Sequence, residues 1–140
     1  MSGPSPAKPR LRLVVLNDSA PVVKMLCDWF TQHGHHCDAV LLSDMPRAHE
    51  EVGHFVAAHR PDVVVYDVGV PYESSWDLLE AIRMAPALQS QPLVITTPNK
   101  GKLEQAVGRT GALEISGRQR DLRRLLKAVD EAADAARQSS

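Results

Sequence analysis

Residues 61–71 read PDVVVYDVGVP, a run of mostly β-branched residues that leads into a carboxylate, Asp67. A proline precedes the run and a Gly/Pro turn follows it, which is typical of a buried strand in a parallel sheet. Because burying a carboxylate is costly without a cation, hydrogen bonds or a shifted pKa, Asp67 needs compensating partners. Open α/β sheets hold their functional sites at the carboxyl ends of strands, so the pattern indicates a site at Asp67. The alternative is an aspartate that caps a helix or forms a turn.

Length and composition predict one globular domain. The chain has 140 residues, of which 44% are hydrophobic and 24% are charged, and its formal net charge is -1. These values give no indication of nucleic-acid binding through bulk charge. The sequence has no signal peptide and no apolar run near the roughly 20 residues of a membrane span, which favours a cytoplasmic location. Cys27 and Cys37 match no zinc spacing, and we expect them to be reduced core thiols.

Short apolar runs and amphipathic stretches alternate five times along the chain. Because parallel strands are joined by right-handed helical crossovers, the pattern predicts an α/β fold, a doubly wound five-stranded parallel sheet flanked by helices. We predict a disordered leader at residues 1–10, one domain at residues 11–137 and a disordered tail at residues 138–140. The predicted strands are Leu11–Leu16, His36–Leu42, Asp62–Tyr66, Leu93–Thr96 and Ala112–Ser116.

Polar residues follow several predicted strands and should meet at one edge of the sheet. Asn17 and Asp18 follow the first strand, Thr97 ends the fourth, and Arg118 follows the fifth. Two carboxylates that converge there would repel each other without a cation, and hard oxygen ligands of this kind suit Mg²⁺. The edge is therefore a predicted site for Mg²⁺ and a phosphate around Asp67. Alternatively, Asp18 caps the first helix and Arg118 is a solvated side chain.

The chain resembles the receiver domains of two-component response regulators, from about residue 11 to residue 129. In receivers an aspartate ends the third strand and a proline follows four residues later, which corresponds to Asp67 and Pro71. The acidic pair at the end of the first strand corresponds to Asn17 and Asp18. The resemblance implies a flavodoxin-like (βα)5 receiver fold for nearly the whole chain.

The resemblance also implies a phosphoacceptor and a metal site. In receivers the aspartate takes a phosphoryl group from a histidine kinase or a small phosphodonor, and Mg²⁺ bridges it to the acidic pair. Asp67 would then be the phosphoacceptor. The implied metal ligands are Asp18, Asp67, the backbone carbonyl of Gly69 and Asn17.

Thr97 and Arg118 correspond to two further receiver residues. The first would bind a phosphate oxygen, and the second aligns with a lysine that neutralises phosphate and is followed by proline, here Gln119. The chain departs from the receiver pattern at two positions that carry charge in receivers. Asn17 in place of an acid should weaken Mg²⁺ binding. A guanidinium in place of an ammonium can bind a carboxylate in bidentate fashion and so hold unphosphorylated Asp67.

The function implied is that of a single-domain response regulator in a phosphorelay, not an enzyme. Its partners would be a sensor histidine kinase or phosphotransfer protein and an unknown downstream protein. A homodimer would form through the fourth helix, fifth strand and fifth helix, and neither nucleic acid nor a membrane would be contacted. The alternative is an atypical pseudo-receiver that binds partners independently of phosphorylation. A small α/β enzyme or nucleotide binder is disfavoured because residues 17–21 form no glycine loop.

Overall fold

The computed structural model describes residues 10–116 and 118–139, which contain a five-stranded, all-parallel sheet. The strands are β1 (Arg12–Asn17), β2 (His36–Leu41), β3 (Val63–Asp67), β4 (Leu93–Thr97) and β5 (Leu113–Glu114). Their order is β2-β1-β3-β4-β5, so β3 is central and the order reverses between β1 and β3. Doubly wound folds bind ligands at this reversal, beyond the carboxyl ends of the strands. The predicted fold class is confirmed.

Helices cover both faces of the sheet. They are α1 (Ala20–Gln32), α2 (Ala48–His59), α3 (Tyr72–Arg83), α4 (Pro86–Gln89), α5 (Lys100–Val107) and α6 (Gln119–Ser139). The one-turn helix α4 was not predicted, and it starts with a proline, whose missing N–H is not needed at that position. The fourth and fifth helices of the sequence prediction are therefore α5 and α6.

Strand β3 is buried along its whole length. Because strand side chains alternate between faces, Val63 and Val65 pack in one apolar cluster with α1 and α6, while Val64 and Tyr66 pack in another with α2, α3, α4 and α5. Full burial of each such valine stabilises the fold by about 1.5–3 kcal/mol. This two-sided packing fixes the strand and thereby the position of Asp67 at its end.

The strand register brings three strand ends together. Leu16 of β1 lies beside Tyr66 of β3, so Asn17 and Asp67, one residue further along, are neighbours. On the other side, Asp67 is in register with Thr96 of β4. Side chains in register on adjacent strands point to the same face, so these three polar residues can meet.

The fifth strand is shorter than predicted. Only Leu113 and Glu114 form the strand, in register with Thr96 and Thr97, where the sequence predicted Ala112–Ser116. The backbone amide and hydroxyl of Ser116 both donate to a carboxylate oxygen of Asp121 in α6, at 3.0 and 2.7 Å. These bonds tie Ser116 to α6, so the chain has left the sheet at a residue that the sequence predicted to lie in the strand.

Cys27 and Cys37 form a disulfide, which corrects the expectation of two reduced thiols. Cys27 lies on α1 and Cys37 on the edge strand β2, with Cα atoms 5.4 Å apart, a separation that disulfides span. The residues sit on different elements, as expected, but α1 packs on the sheet beside β2 and brings the two sulfurs together.

The chain ends differ in part from the prediction. Apart from Arg10, whose Nε donates to the carbonyl of Gly34 at 3.0 Å, the predicted leader lies outside the described residues. Helix α6 continues to Ser139, so residues 138 and 139 of the predicted tail are helical, and residue 140 lies outside the described residues. None of the helices in the described part of the chain is long and apolar enough to cross a membrane.

Candidate functional site

Asp67 lies at the carboxyl end of the central strand, with 6% of its surface exposed. Its Oδ1 accepts a hydrogen bond from Oγ1 of Thr96 at 2.7 Å, and its Oδ2 accepts one from Nδ2 of Asn17 at 2.9 Å. The same Asn17 nitrogen donates to the backbone carbonyl of Asp67 at 2.6 Å. The carboxylate is thus held by an amide and a hydroxyl, both of which are neutral.

Burial dominates the electrostatics of the site. It raises the pKa of Asp67, and the hydrogen bond from Thr96 offsets part of the rise. Burial also raises the pKa of the adjacent Tyr66 to about 12, and its phenol donates to the backbone carbonyl of Ser75 at 2.9 Å. Charge at Asp67 is therefore only partly compensated by the groups that contact it.

Local hydrogen bonds determine the orientation of the Asn17 amide. Its Oδ1 accepts the backbone N–H of Ser19 at 2.6 Å, the bond that an Asx turn makes two residues along. If the amide were flipped, Oδ1 would face two oxygens of Asp67 and the nitrogen would face another N–H. Asn17 therefore presents N–H groups, rather than an oxygen, to Asp67.

The threonine hydroxyl at the site belongs to Thr96, which corrects the predicted role of Thr97. Oγ1 of Thr97 donates instead to the backbone carbonyl of Val68 at 2.9 Å. Successive strand side chains point to opposite faces, and the register pairs Thr96, not Thr97, with Asp67. Thr97 holds the loop that follows Asp67, and Thr96 supplies the hydroxyl.

Arg118 does not join the site, which corrects its predicted place beside Asp67. Its side chain is exposed, and its backbone carbonyl accepts the amides of Asp121 and Leu122 at the start of α6, at 3.0 and 3.2 Å. It is not among the described residues that line the cavity beside Asp67. The reason is that β5 ends at Glu114 and Ser116 already bonds to α6. The chain is therefore tied to the last helix before it reaches Arg118.

A cavity of about 500 Å³ opens beside Asp67. This volume falls within the range of small-molecule sites, about 300–1,000 Å³. Asp18, exposed after β1, lines the cavity together with Ser74 at the start of α3, and Pro71 and Pro98 form part of its wall. The buried carboxylate is therefore reachable through a partly polar opening.

Ser75 supports the site and was not singled out from the sequence. Its Oγ accepts the backbone N–H of Gly69 at 3.3 Å, and its carbonyl accepts the phenol of Tyr66 at 2.9 Å. These bonds join the start of α3 to β3 and to the loop after it, and so position Gly69. No local pattern reveals them, because they link residues of separate elements.

The donor set does not fit the four-ligand Mg²⁺ site predicted for this edge. Asp18, Asp67 and Gly69 all line the cavity and carry oxygens, but the fourth predicted ligand, Asn17, directs N–H groups at Asp67. Mg²⁺ demands near-octahedral oxygen ligation. Within residues 10–116 and 118–139, no group of three or more His, Cys, Asp or Glu side chains is arranged to hold a metal. The predicted ligand set is corrected at Asn17.

Solved structures of bacterial signalling proteins share this fold. The chain matches the chemotaxis response regulator CheY4 of Vibrio cholerae with 22% identity and a TM-score of 0.60, over 86% of this chain and 99% of that one. It matches a sensor protein from Polaromonas sp. JS666 with 17% identity and a TM-score of 0.68, over 91% and 99%. A third match is a transiently phosphorylated switch in bacterial signal transduction, with 22% identity and a TM-score of 0.63, over 91% and 98%.

These matches show that the chain has the CheY-like receiver fold. At identities of 17–22% they establish the fold alone. No protein-family model and no curated protein sequence matches the chain.

Proposed function

We propose that this chain is a receiver module of two-component phosphorelay signalling, with Asp67 as phosphoacceptor and with output through protein–protein contacts. The observation that carries the proposal is the buried carboxylate of Asp67, at the end of the central strand and open to a cavity. The fold shared with CheY4 and with a transiently phosphorylated switch supports the same role. A sensor histidine kinase or a phosphotransfer protein would donate the phosphoryl group, and such a module would work in the cytoplasm.

The proposed reaction is a phosphoryl transfer from a histidine or a small phosphodonor. An oxygen of Asp67 forms a P–O bond while the bond from phosphorus to the donor breaks, and the leaving atom keeps the electron pair. Only the ionised carboxylate is nucleophilic, and burial opposes ionisation. The hydrogen bonds that Thr96 and Asn17 donate to the carboxylate favour its ionised form.

Mg²⁺ has no step in this proposal. The resemblance to receivers implies the ion, where it would supply positive charge to the phosphoryl oxygens. Because Asn17 presents N–H groups at Asp67, the residues in place do not form the implied ligand set.

The neutral hydrogen-bond partners of Asp67 favour a second function, which is partner binding that is independent of phosphorylation. Phosphoryl transfer develops negative charge that receivers neutralise with cations, whereas the described hydrogen-bond partners of Asp67 are neutral. In either case the output surface of the proposal is formed by α5, β5 and α6. This surface would bind the downstream protein or a second copy of the chain.

Incubation with acetyl phosphate, with and without MgCl₂, followed by intact-mass spectrometry, tests the phosphoacceptor. We expect the mass increment of one phosphoryl group, abolished by Asp67→Asn. Arg118→Ala removes an exposed cation that is not among the described residues lining the cavity, so it should keep the increment and serves as the matched control. An unmodified mass under conditions that label CheY4 would overturn the proposal and favour the second function.

A further inference from the structure

Asn17 and Asp67 form a closed hydrogen-bonded pair at the point where receivers are expected to bind a metal ion. We infer that the side-chain amide of Asn17 takes the place of a divalent cation at Asp67, so that the site holds its carboxylate without a metal. The inference deepens the proposed function and rests on Asp67 being the reactive group of the site. Its test uses no phosphodonor, so the two can fail separately.

The geometry leaves the amide little freedom. Asn17 is 5% exposed, and its nitrogen lies 2.9 Å from Oδ2 and 2.6 Å from the carbonyl oxygen of Asp67. A primary amide has two N–H donors, and these two contacts use both. Its oxygen is occupied by the backbone N–H of Ser19 at 2.6 Å. Turning the side chain would leave several buried polar groups without partners.

The amide and a cation would compete for Oδ2 of Asp67. A metal ion that approaches Oδ2 and the loop after Asp67 meets the polar hydrogens of Asn17, which repel positive charge. Mg²⁺ loses its water shell reluctantly and is usually bound through one or two carboxylates together with waters. Here the second carboxylate, that of Asp18, is exposed at the rim of the cavity.

Asn17→Asp, a nearly isosteric change, should therefore remove the hydrogen bonds to Asp67 and allow a cation to bind there. It removes the N–H donors and adds a negative charge beside Asp67 and Asp18. Without a cation the variant should be less stable than the natural protein, because two buried carboxylates then face each other. With a cation it should recover that stability.

The decisive experiment is a titration with MgCl₂ alone, at constant ionic strength, followed by nitrogen-15 NMR. In the natural protein the side-chain amide signals of Asn17 and the backbone signal of Gly69 should not change at millimolar Mg²⁺. In Asn17→Asp the Gly69 signal should shift and reach saturation at millimolar Mg²⁺, where the signal of the natural protein does not change. The melting midpoint of the variant should rise by several degrees on adding Mg²⁺.

Asp18→Asn in the Asn17→Asp background is the matched control and should abolish the gain. A saturable shift of the Asn17 and Gly69 signals of the natural protein at millimolar Mg²⁺ would overturn the inference. The natural protein alone gives this answer if Asn17→Asp does not fold. Failure to phosphorylate Asp67 would leave these signals and their Mg²⁺ response unaffected, so it bears only on the proposed function.

Discussion

Replacing Asp67 by asparagine should stabilise the folded protein at neutral pH, although it removes the proposed phosphoacceptor. Burial raises the pKa of Asp67 above its ordinary value of 3.8, so the folded state binds the proton more tightly than the unfolded state does. Such a group favours folding fully below the unfolded pKa, and the contribution is lost as the pH rises through the folded pKa. At neutral pH the ionised carboxylate therefore carries a cost that asparagine lacks.

The expected size follows from the contacts of the side chain. Each unit by which the folded pKa exceeds the unfolded pKa corresponds to about 1.4 kcal/mol. An asparagine keeps both partners, because its oxygen can accept from Asn17 and its nitrogen can donate to Oγ1 of Thr96. These neutral bonds are weaker than charge-assisted ones, which offsets about 1 kcal/mol. The cost of burying the ionised carboxylate, at least the roughly 1–3 kcal/mol of an uncompensated buried polar group, should exceed this offset, so the melting midpoint of Asp67→Asn should rise by a few degrees.

Thermal unfolding by circular dichroism at about pH 7 and about pH 3 measures the effect, which should be present at the first pH and absent at the second. Asp121→Asn is a control of opposite sign, because hydrogen bonds from Ser116 lower the pKa of Asp121. That substitution should destabilise the fold at neutral pH, with an effect that shrinks as the pH falls through the folded pKa. A lower midpoint for Asp67→Asn at neutral pH, or an equal gain at both values, would refute the reasoning.

Two further predictions concern β4 and the disulfide. Thr96→Val removes a bond to a charged group and should cost about 1.5–3 kcal/mol, whereas Thr97→Val removes a neutral bond and should cost about 0.5–1.5 kcal/mol. Carbon-13 NMR should show a further rise of the site carboxyl pKa only for Thr96→Val, and the reverse result would contradict the corrected assignment. Reducing the bond between Cys27 and Cys37, which are 10 residues apart, should cost about 2–3 kcal/mol, while Cys27→Ser should melt alike with and without reductant. Two free thiols in protein purified without reductant would contradict the disulfide.

Most of the sheet could be predicted from local pattern because its inner strands are buried on both faces. Val63, Val64 and Val65 form a continuous apolar run that suits only such a strand, and its observed bounds differ from the predicted ones by one residue. Strand β5 could not be predicted in the same way. Ile115 and Ser116 extend an acceptable strand pattern, but the bonds of Ser116 to α6 end the pairing.

The sequence indicated which residues gather at the site better than it indicated which contacts these residues make. Asn17 and Asp67 meet as expected because the carboxyl ends of adjacent parallel strands share an edge. The choice between Thr96 and Thr97 depends on the register of β3 with β4, which tertiary pairing sets. The place of Arg118 was inferred by counting back from the apolar stripe of the last helix, and the two-residue length of β5 makes that spacing misleading.

The outer strands of the sheet bear on how this protein avoids unwanted self-assembly. Long, flat, apolar edge strands recruit strands from other molecules and lead to aggregation, whereas short or polar edges resist it. One edge here is only Leu113–Glu114, and the other carries His36 and Asp38, whose side chains approach to 3.5 Å. Neither edge is a long strand of apolar residues that would favour pairing with an incoming strand. Association by pairing of strands at the sheet edges is therefore disfavoured.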